Sequence, residues 1–498
     1  MFVNEIKKTL NDEFNYSQTE NGALGYRTTG KALLDLNFQV ASLRTASANQ
    51  IIDMFMKAFY EDKLMAIKWL FYVRDAREGI GERRLFRIMI EYLSNHNPEV
   101  IKDLIQYIPE YGRYDDMWCI IGTQHTDVVS DIIKARLEED NANANNNKPV
   151  SLLAKWLPSV NTSSKKTVKK AKQIIKLLGT NERSYRKMLS KLRKYIDVVE
   201  VKMSDNRWSE VKYEAVPSRA NIIYNGAFLR NDEERRRAFL GALAKGETKI
   251  NASVLFPHDI VHKYTIGGYS LKNTDTTLEE LWKALPDTVK GTGDTIVVAD
   301  GSGSMTAAIG GTKIIALSVA NALAIYFAER SSGQFKDNYI TFSTKPQLVD
   351  FSSCNTLREK IELALRHNEV SDTNIEAVFN LILQTAVKKK MEQSEIPQNI
   401  LIVSDIEFNR ATGNCTDKRL FAGISAQYSQ YGYKIPRLVF WNVNSRTGTI
   451  PIIQNELGVA LVSGFSVNIV KMVLSGKIDP YECLVTELMS ERYEKIKI

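Results

Sequence analysis

Thr295-Ile-Val-Val-Ala-Asp-Gly-Ser-Gly-Ser-Met305 decides how this chain of 498 residues is to be read. Its continuous apolar run, rich in Ile and Val, is the pattern of a strand buried on both faces of a parallel sheet. The strand runs into Asp300, Ser302 and Ser304, one carboxylate and two hydroxyls at alternate positions of a glycine-rich turn. Gly301 and Gly303 let that turn tighten enough for alternate side chains to converge. An open α/β sheet collects its ligands outside the carboxyl ends of its strands. The donors gathered there are hard oxygens, which suit Mg²⁺ or Mn²⁺ with part of its water retained. Two later stretches can complete the shell. Thr373, in Ser371-Asp-Thr-Asn374, precedes an apolar helical pattern, and Asp405 ends the apolar run Leu401-Ile-Val-Ser-Asp405.

Around this stretch the chain alternates strand and helix. Strands are expected at 295–300, 338–342, 346–351, 399–405 and 437–442, and helices at 312–330, 355–366, 374–389, 416–431 and 466–475. Such alternation gives a doubly wound, mostly parallel sheet. The short gap after 342 predicts a hairpin and so one antiparallel edge strand. Lys290-Gly-Thr-Gly293 is the expected linker, dividing residues 1–290 from residues 291–498.

The first segment reads as helix after helix. Ile51–Phe59 and Lys63–Arg74 space their apolar residues three and four apart, as a core-facing helix requires. Further helices are expected at Leu85–Ser94, Glu99–Ile108, Thr126–Glu139, Thr167–Leu178, Asn181–Lys194, Asp232–Lys245 and Thr277–Leu285. Short polar connections and a lack of alternating strands point to an irregular α-solenoid. The polar run Asn141–Lys148 is expected to be a mobile loop.

Charge is concentrated in this segment. The net +8 lies wholly within residues 1–290, and residues 151–250 hold 23 basic and 10 acidic residues. Between Lys165 and Lys194 stand twelve bases against the single acid Glu182. They are Lys165, Lys166, Lys169, Lys170, Lys172, Lys176, Arg183, Arg186, Lys187, Lys191, Arg193 and Lys194. That ratio is too lopsided for ordinary pairing along a helix and predicts phosphate binding. Tyr185 and Tyr195 interleave and could stack bases. Arg74, Arg77, Arg83, Arg84 and Arg87 are divided between two readings, an RNA contact and an ion-pair network with Asp75, Glu78 and Glu82. His258 and His262 have the spacing of metal ligands but lack a third ligand, so capping or packing is the reading for them. Asp115 and Asp116 read as a helix start.

Composition excludes several classes. Cys119, Cys354, Cys415 and Cys483 show neither zinc spacing nor a disulfide framework, which fits a reducing cytoplasm. The longest apolar run, Ile314–Ala328, is too short for a membrane span, and Met1–Lys8 lacks a signal-peptide core. Two carboxylates without a neighbouring general base argue against an enzyme such as a Mg²⁺-dependent nuclease.

Asp300, Ser302, Ser304, Thr373 and Asp405 together resemble the metal-ion-dependent adhesion site of von Willebrand factor A domains. In such domains the metal keeps an open position for a partner's Glu or Asp. Phe71–Arg84, Ile108–Trp118, Pro257–Val261 and Ser404–Phe408 resemble the signatures of Ro-autoantigen-like proteins. The similarity covers nearly the whole chain and is greatest to an uncharacterised viral, phage and plant branch. It implies a TROVE-like module of HEAT-like helical repeats, able to close into a ring, followed by an A domain. It also implies a ribonucleoprotein role, binding single-stranded or structured RNA, with the A domain holding Mg²⁺ for partner recruitment or ring closure. A protein-interaction scaffold acting through the metal site, without RNA, is the alternative.

Overall fold

In a computed structural model of the chain, residues 14–266, 270–289, 294–310, 312–343, 345–368, 374–409, 420–452, 458–467 and 479–498 are described. Packing divides them into two units. One takes in the chain up to Ala66 together with Ala252–Arg492; the other comprises Ile67–Asn251 and Tyr493–Ile498. The units therefore follow packing rather than chain order, and Ala252 onward of the first sequence segment packs in the sheet-bearing unit.

The strands are β1 (Tyr16–Gln18), β2 (Leu24–Tyr26), β3 (Thr265–Ile266), β4 (Ser270–Leu271), β5 (Thr295–Asp300), β6 (Asn338–Phe342), β7 (Leu348–Asp350), β8 (Asn399–Ser404), β9 (Arg437–Asn442) and β10 (Val459–Ser463). Six of them form one sheet in the order β10-β9-β8-β5-β6-β7. All neighbours run parallel except β6 and β7, which pair antiparallel with Ile340 opposite Leu348. Every residue of β5, β8 and β9 is buried, which is why these strands read as unbroken apolar runs. The helix Ala316–Arg330 is apolar nearly all round because Ala316 through Ala328 are all buried. No helix among the described residues is long and apolar enough to cross a membrane. β10, the β1–β2 hairpin and the helix Pro480–Leu488 were not expected from the sequence. The expected helix at 466–475, the linker 290–293 and Cys415 lie mostly or wholly outside the described residues.

In the helical unit, side-chain caps and apolar stripes explain the boundaries. Lys165–Leu177 starts where Ser164 Oγ accepts from the Thr167 amide (3.3 Å), and it buries Ala171, Ile174 and Ile175. Glu182–Ile196 starts where Asn181 Oδ1 accepts from the Ser184 amide (2.9 Å), and it buries Tyr185, Leu189 and Leu192. Two expectations are corrected. The segment 99–108 is not one helix but Pro98–Ile101, a 3₁₀ stretch Lys102–Tyr107, and a separate turn Ile108–Tyr111. Pro109 has no amide hydrogen to continue a helical ladder. The polar run from Asn141 is helical through Asn145, the end of Thr126–Asn145. Alternating alanines favour the helix. Asn141 donates to the Leu137 carbonyl (3.0 Å), and Lys191 Nζ reaches Asn145 Oδ1 (2.7 Å).

Candidate metal centre and nucleic-acid interface

From β5 the chain moves to β6 on one side, then returns to form β8 on the other. The carboxyl ends of β5 and β8 thus bound a topological switch point, the crevice where open α/β sheets hold ligands. Asp300 ends β5, and Asp405 follows the last residue of β8. Asp300 Oδ1 accepts from the Ser302 amide (2.9 Å), and its Oδ2 accepts from Ser404 Oγ (2.6 Å). The Ser302 and Ser304 hydroxyls stand 3.0 Å apart. The Ser304 hydroxyl lies near the Asp405 carboxyl and works to lower its pKa. Four of the five residues expected from the sequence therefore meet at one place; Thr373 lies outside the described residues. Asn368 approaches closely, its carboxamide oxygen 3.3 Å from where a Cβ on Gly301 would stand.

Burial makes this pair of carboxylates costly. Asp300 is 1% exposed and Asp405 is 0% exposed. Burial, then the charge of Asp405, pushes Asp300 up to about 7; burial likewise raises Asp405. Among the described residues Asp405 Oδ2 has no hydrogen-bond partner, although the Arg446 guanidinium is 3.3 Å away. A buried carboxylate oxygen without a donor, beside a second carboxylate and two hydroxyls, fits a hard divalent cation. Among the described residues no three His, Cys, Asp or Glu side chains gather for a metal, so such an ion would depend on the hydroxyls and on water.

The loop after Asp405 is strained. Ile406 adopts φ 65°, a left-handed conformation that a β-branched residue rarely takes and that costs about 1–3 kcal/mol. Glu407, fully buried, offsets that cost with a set of hydrogen bonds. Its Oε1 accepts from the Arg446 amide (2.8 Å), the Thr447 amide (2.9 Å) and Ser445 Oγ (3.2 Å). Its Oε2 accepts from the Glu20 amide (2.8 Å). Ser404, Glu407, Arg446 and Glu20 were not anticipated as site residues. Ser404 and Glu407 flank Asp405 in sequence, but Glu20 and Arg446 are 426 positions apart and share no spacing to read.

The basic segment resolves into faces. On Lys165–Leu177, Lys165, Lys166, Lys169, Lys172 and Lys176 are exposed; on Glu182–Ile196, Arg183, Arg186, Lys187, Lys191 and Lys194 are exposed. Lys165, Lys169, Lys172 and Lys176 line an open concavity of about 570 Å³ with Thr162 and Ser163. Glu182 pairs with Lys172 at 3.4 Å.

Three residues of the segment are corrected. Tyr185 is 1% exposed and its hydroxyl donates to the Pro158 carbonyl (2.9 Å), so its ring cannot stack on a base. Burial pushes its phenol well above the usual range. Arg193 donates to the Ala154 and Leu157 carbonyls and to Ser159 Oγ, tying its helix to Leu153–Trp156 and the residues that follow it. Lys170 Nζ donates to the Trp118 carbonyl (2.9 Å), and burial lowers its pKa.

Three of the arginines near residue 80, Arg74, Arg83 and Arg87, pair with Asp115 and Asp116, carboxylates further along the chain than those considered from the sequence. Asp116, fully buried, accepts from Arg74 Nε (2.7 Å) and Arg87 Nε (2.7 Å), while Arg83 lies 3.7 Å from Asp115. A Cβ on Gly112 would stand 2.6 Å from Asp116 Oδ2, so only glycine leaves room for the network. Asp116 also accepts from the Arg113 amide at the start of Tyr114–Cys119, the helix-start role expected of it. His258 is buried between Phe256 and Phe465, ring centroids 5.6 and 5.0 Å away.

Comparison with known proteins gives few functional names. Residues 294–496 match a domain of unknown function, DUF7788; residues 19–109 and 164–295 match another, DUF2828. The uncharacterised protein L728 of Acanthamoeba polyphaga mimivirus is 30% identical over 502 aligned positions, covering 93% of this chain and 85% of that protein. Among solved structures, the Ro (RSR) protein of Deinococcus radiodurans is similar over 88% of this chain and 92% of its own, at 13% identity and a TM-score of 0.35. That score is too low to establish a shared fold.

Proposed function

This chain belongs to the same family as the mimivirus protein L728, and we propose that it is a non-catalytic RNA-binding protein. The observation that carries the reading is the set of ten exposed cations on Lys165–Leu177 and Glu182–Ile196, with Glu182 the one acid between Lys165 and Lys194. Lys165, Lys169, Lys172 and Lys176 recur every three or four residues, so they form one row along the helix and face the phosphates of a single backbone. The sequence resemblance to Ro-autoantigen-like proteins supports the same reading. Fluorescence anisotropy with a labelled single-stranded oligoribonucleotide tests it. The full chain should bind, and the variant with Lys165, Lys169, Lys172 and Lys176 changed to Ala should bind much more weakly. Equal binding would refute this surface.

A second element of the reading concerns the crevice. Asp300, Ser302, Ser304 and Asp405 would hold Mg²⁺ or Mn²⁺, with Thr373 as the further donor expected from the sequence. When bound, the ion would supply a Lewis-acidic position for a carboxylate of a protein partner. The undonated Asp405 Oδ2 favours this role. It also sustains the alternative in which partner binding, without RNA, is the whole function.

A further inference from the structure

We propose that Arg446 is the built-in counter-cation of Asp405, and that its pairing with Glu20 sets how tightly the crevice takes up a divalent cation. The proposal rests on reading Asp300 and Asp405 as a metal centre. One guanidinium stands between two carboxylates. Arg446 Nη1 lies 3.3 Å from Asp405 Oδ2, and Arg446 Nε donates to Glu20 Oε1 at 2.6 Å. Asp405 is fully buried, whereas the Glu20 side chain is 48% exposed. The two carboxylates are therefore unequal. Asp405 needs a positive neighbour because water does not reach it, and Glu20 does not.

The backbone holds this arrangement in place. The Glu407 carboxylate accepts from the Arg446 amide (2.8 Å) through one oxygen and from the Glu20 amide (2.8 Å) through the other. Asn21 Nδ2 donates to the Glu407 carbonyl (2.6 Å), and Thr19 Oγ1 donates to the Phe408 carbonyl (2.6 Å). The turn between β1 and β2 is thus pinned to the loop that carries Asp405. Glu20 is presented to Arg446 by construction rather than by chance encounter of two surface chains.

A guanidinium stays charged at any accessible pH, so a divalent cation arriving at Asp405 meets a fixed positive charge. Uptake requires that Arg446 be repelled from Asp405, and Glu20 is the carboxylate positioned to keep it. Arg446 opposes metal binding, and Glu20 assists by drawing Arg446 away. The two residues predict affinity changes of opposite sign, although both lie beyond the expected donor set.

Titration calorimetry of the full chain with MgCl₂ and MnCl₂ tests this on wild type, Arg446→Gln, Arg446→Lys and Glu20→Gln. Arg446→Gln should bind about tenfold more tightly or better, as loss of one close positive charge requires. Glu20→Gln should bind several-fold more weakly, and Arg446→Lys should stay near wild type. Melting in chelator provides a second reading: Arg446→Gln should melt below wild type without metal and recover more on adding Mg²⁺. Should Arg446→Gln fail to fold, the weakening by Glu20→Gln carries the test alone. Wild type that binds metal, with Arg446→Gln or Glu20→Gln binding equally well, overturns the role of Arg446 and leaves the metal centre standing. No uptake by any of the four overturns the metal centre itself, and this inference with it.

Discussion

Asp116 has no exposure to water, yet it holds two arginine side chains and a backbone amide. Removing it would leave Arg74, 4% exposed, as a buried charge without that carboxylate. Breaking a buried pair from one side costs about 3–5 kcal/mol. Asp116→Ala should therefore lower the urea midpoint strongly while leaving RNA affinity of the folded protein unchanged. The hydroxyl of Tyr185 is worth less. Tyr185→Phe loses one buried hydrogen bond, about 1 kcal/mol, and strands the Pro158 carbonyl. A loss of RNA affinity without a loss of stability would show that the hydroxyl reaches the RNA instead of the Pro158 carbonyl. His262 contributes a pH dependence. Burial, then Lys263 and Lys272, lowers its pKa from 6.5, so the folded chain keeps it neutral while the unfolded chain takes a proton. Its contribution to stability is present above about 6.5 and falls as pH drops below that value. Thermal midpoints from pH 7 to pH 5 should decline less steeply in His262→Gln.

Elements were legible in the sequence wherever one local pattern was enough. The strands Thr295–Asp300, Asn338–Phe342 and Arg437–Asn442 fall on their expected residues, because strands buried on both faces announce themselves as apolar runs. Lys63–Arg74 also falls on its expected residues, although it is apolar nearly all round, with Met65 through Arg74 all buried. β10 was missed although Gly458 and Gly464 bound Val459-Ala-Leu-Val-Ser463, because so short an apolar run has no period that separates a strand from a buried helix. The asparagine run was read as a loop because its composition is polar, yet Asn145 is held by Lys191 from another helix. Tertiary contact overrode composition there. Hydrogen exchange should show protected amides through Asn145, and rapid exchange from Asn141 onward would contradict the helix. At the crevice, Asp300, Ser302, Ser304 and Asp405 could be named in advance because each ends or follows a legible strand. Glu20 could not, since only the packing of the β1–β2 turn brings it to Arg446.

The whole molecule carries a basic helical surface and a carboxylate crevice in one chain. If the crevice takes Mg²⁺ without catalysing, Asp300→Ala should abolish the calorimetric signal. Asp300 lies on an inner strand, so its folded state should be verified by circular dichroism. Neither protein should release product from single-stranded RNA, duplex RNA or nucleoside triphosphates; a product lost in Asp405→Ala would establish an enzyme. The most direct test of the central claim is the salt dependence of binding to single-stranded RNA. Each phosphate contact contributes a slope of about −0.7 in log affinity against log salt concentration. Wild type should weaken steeply as salt rises. Changing Lys165, Lys169, Lys172 and Lys176 together to Ala should weaken binding to all sequences alike and flatten the slope by about three. A fourfold variant that binds as tightly as wild type, with the same slope, would show that this surface does not hold RNA.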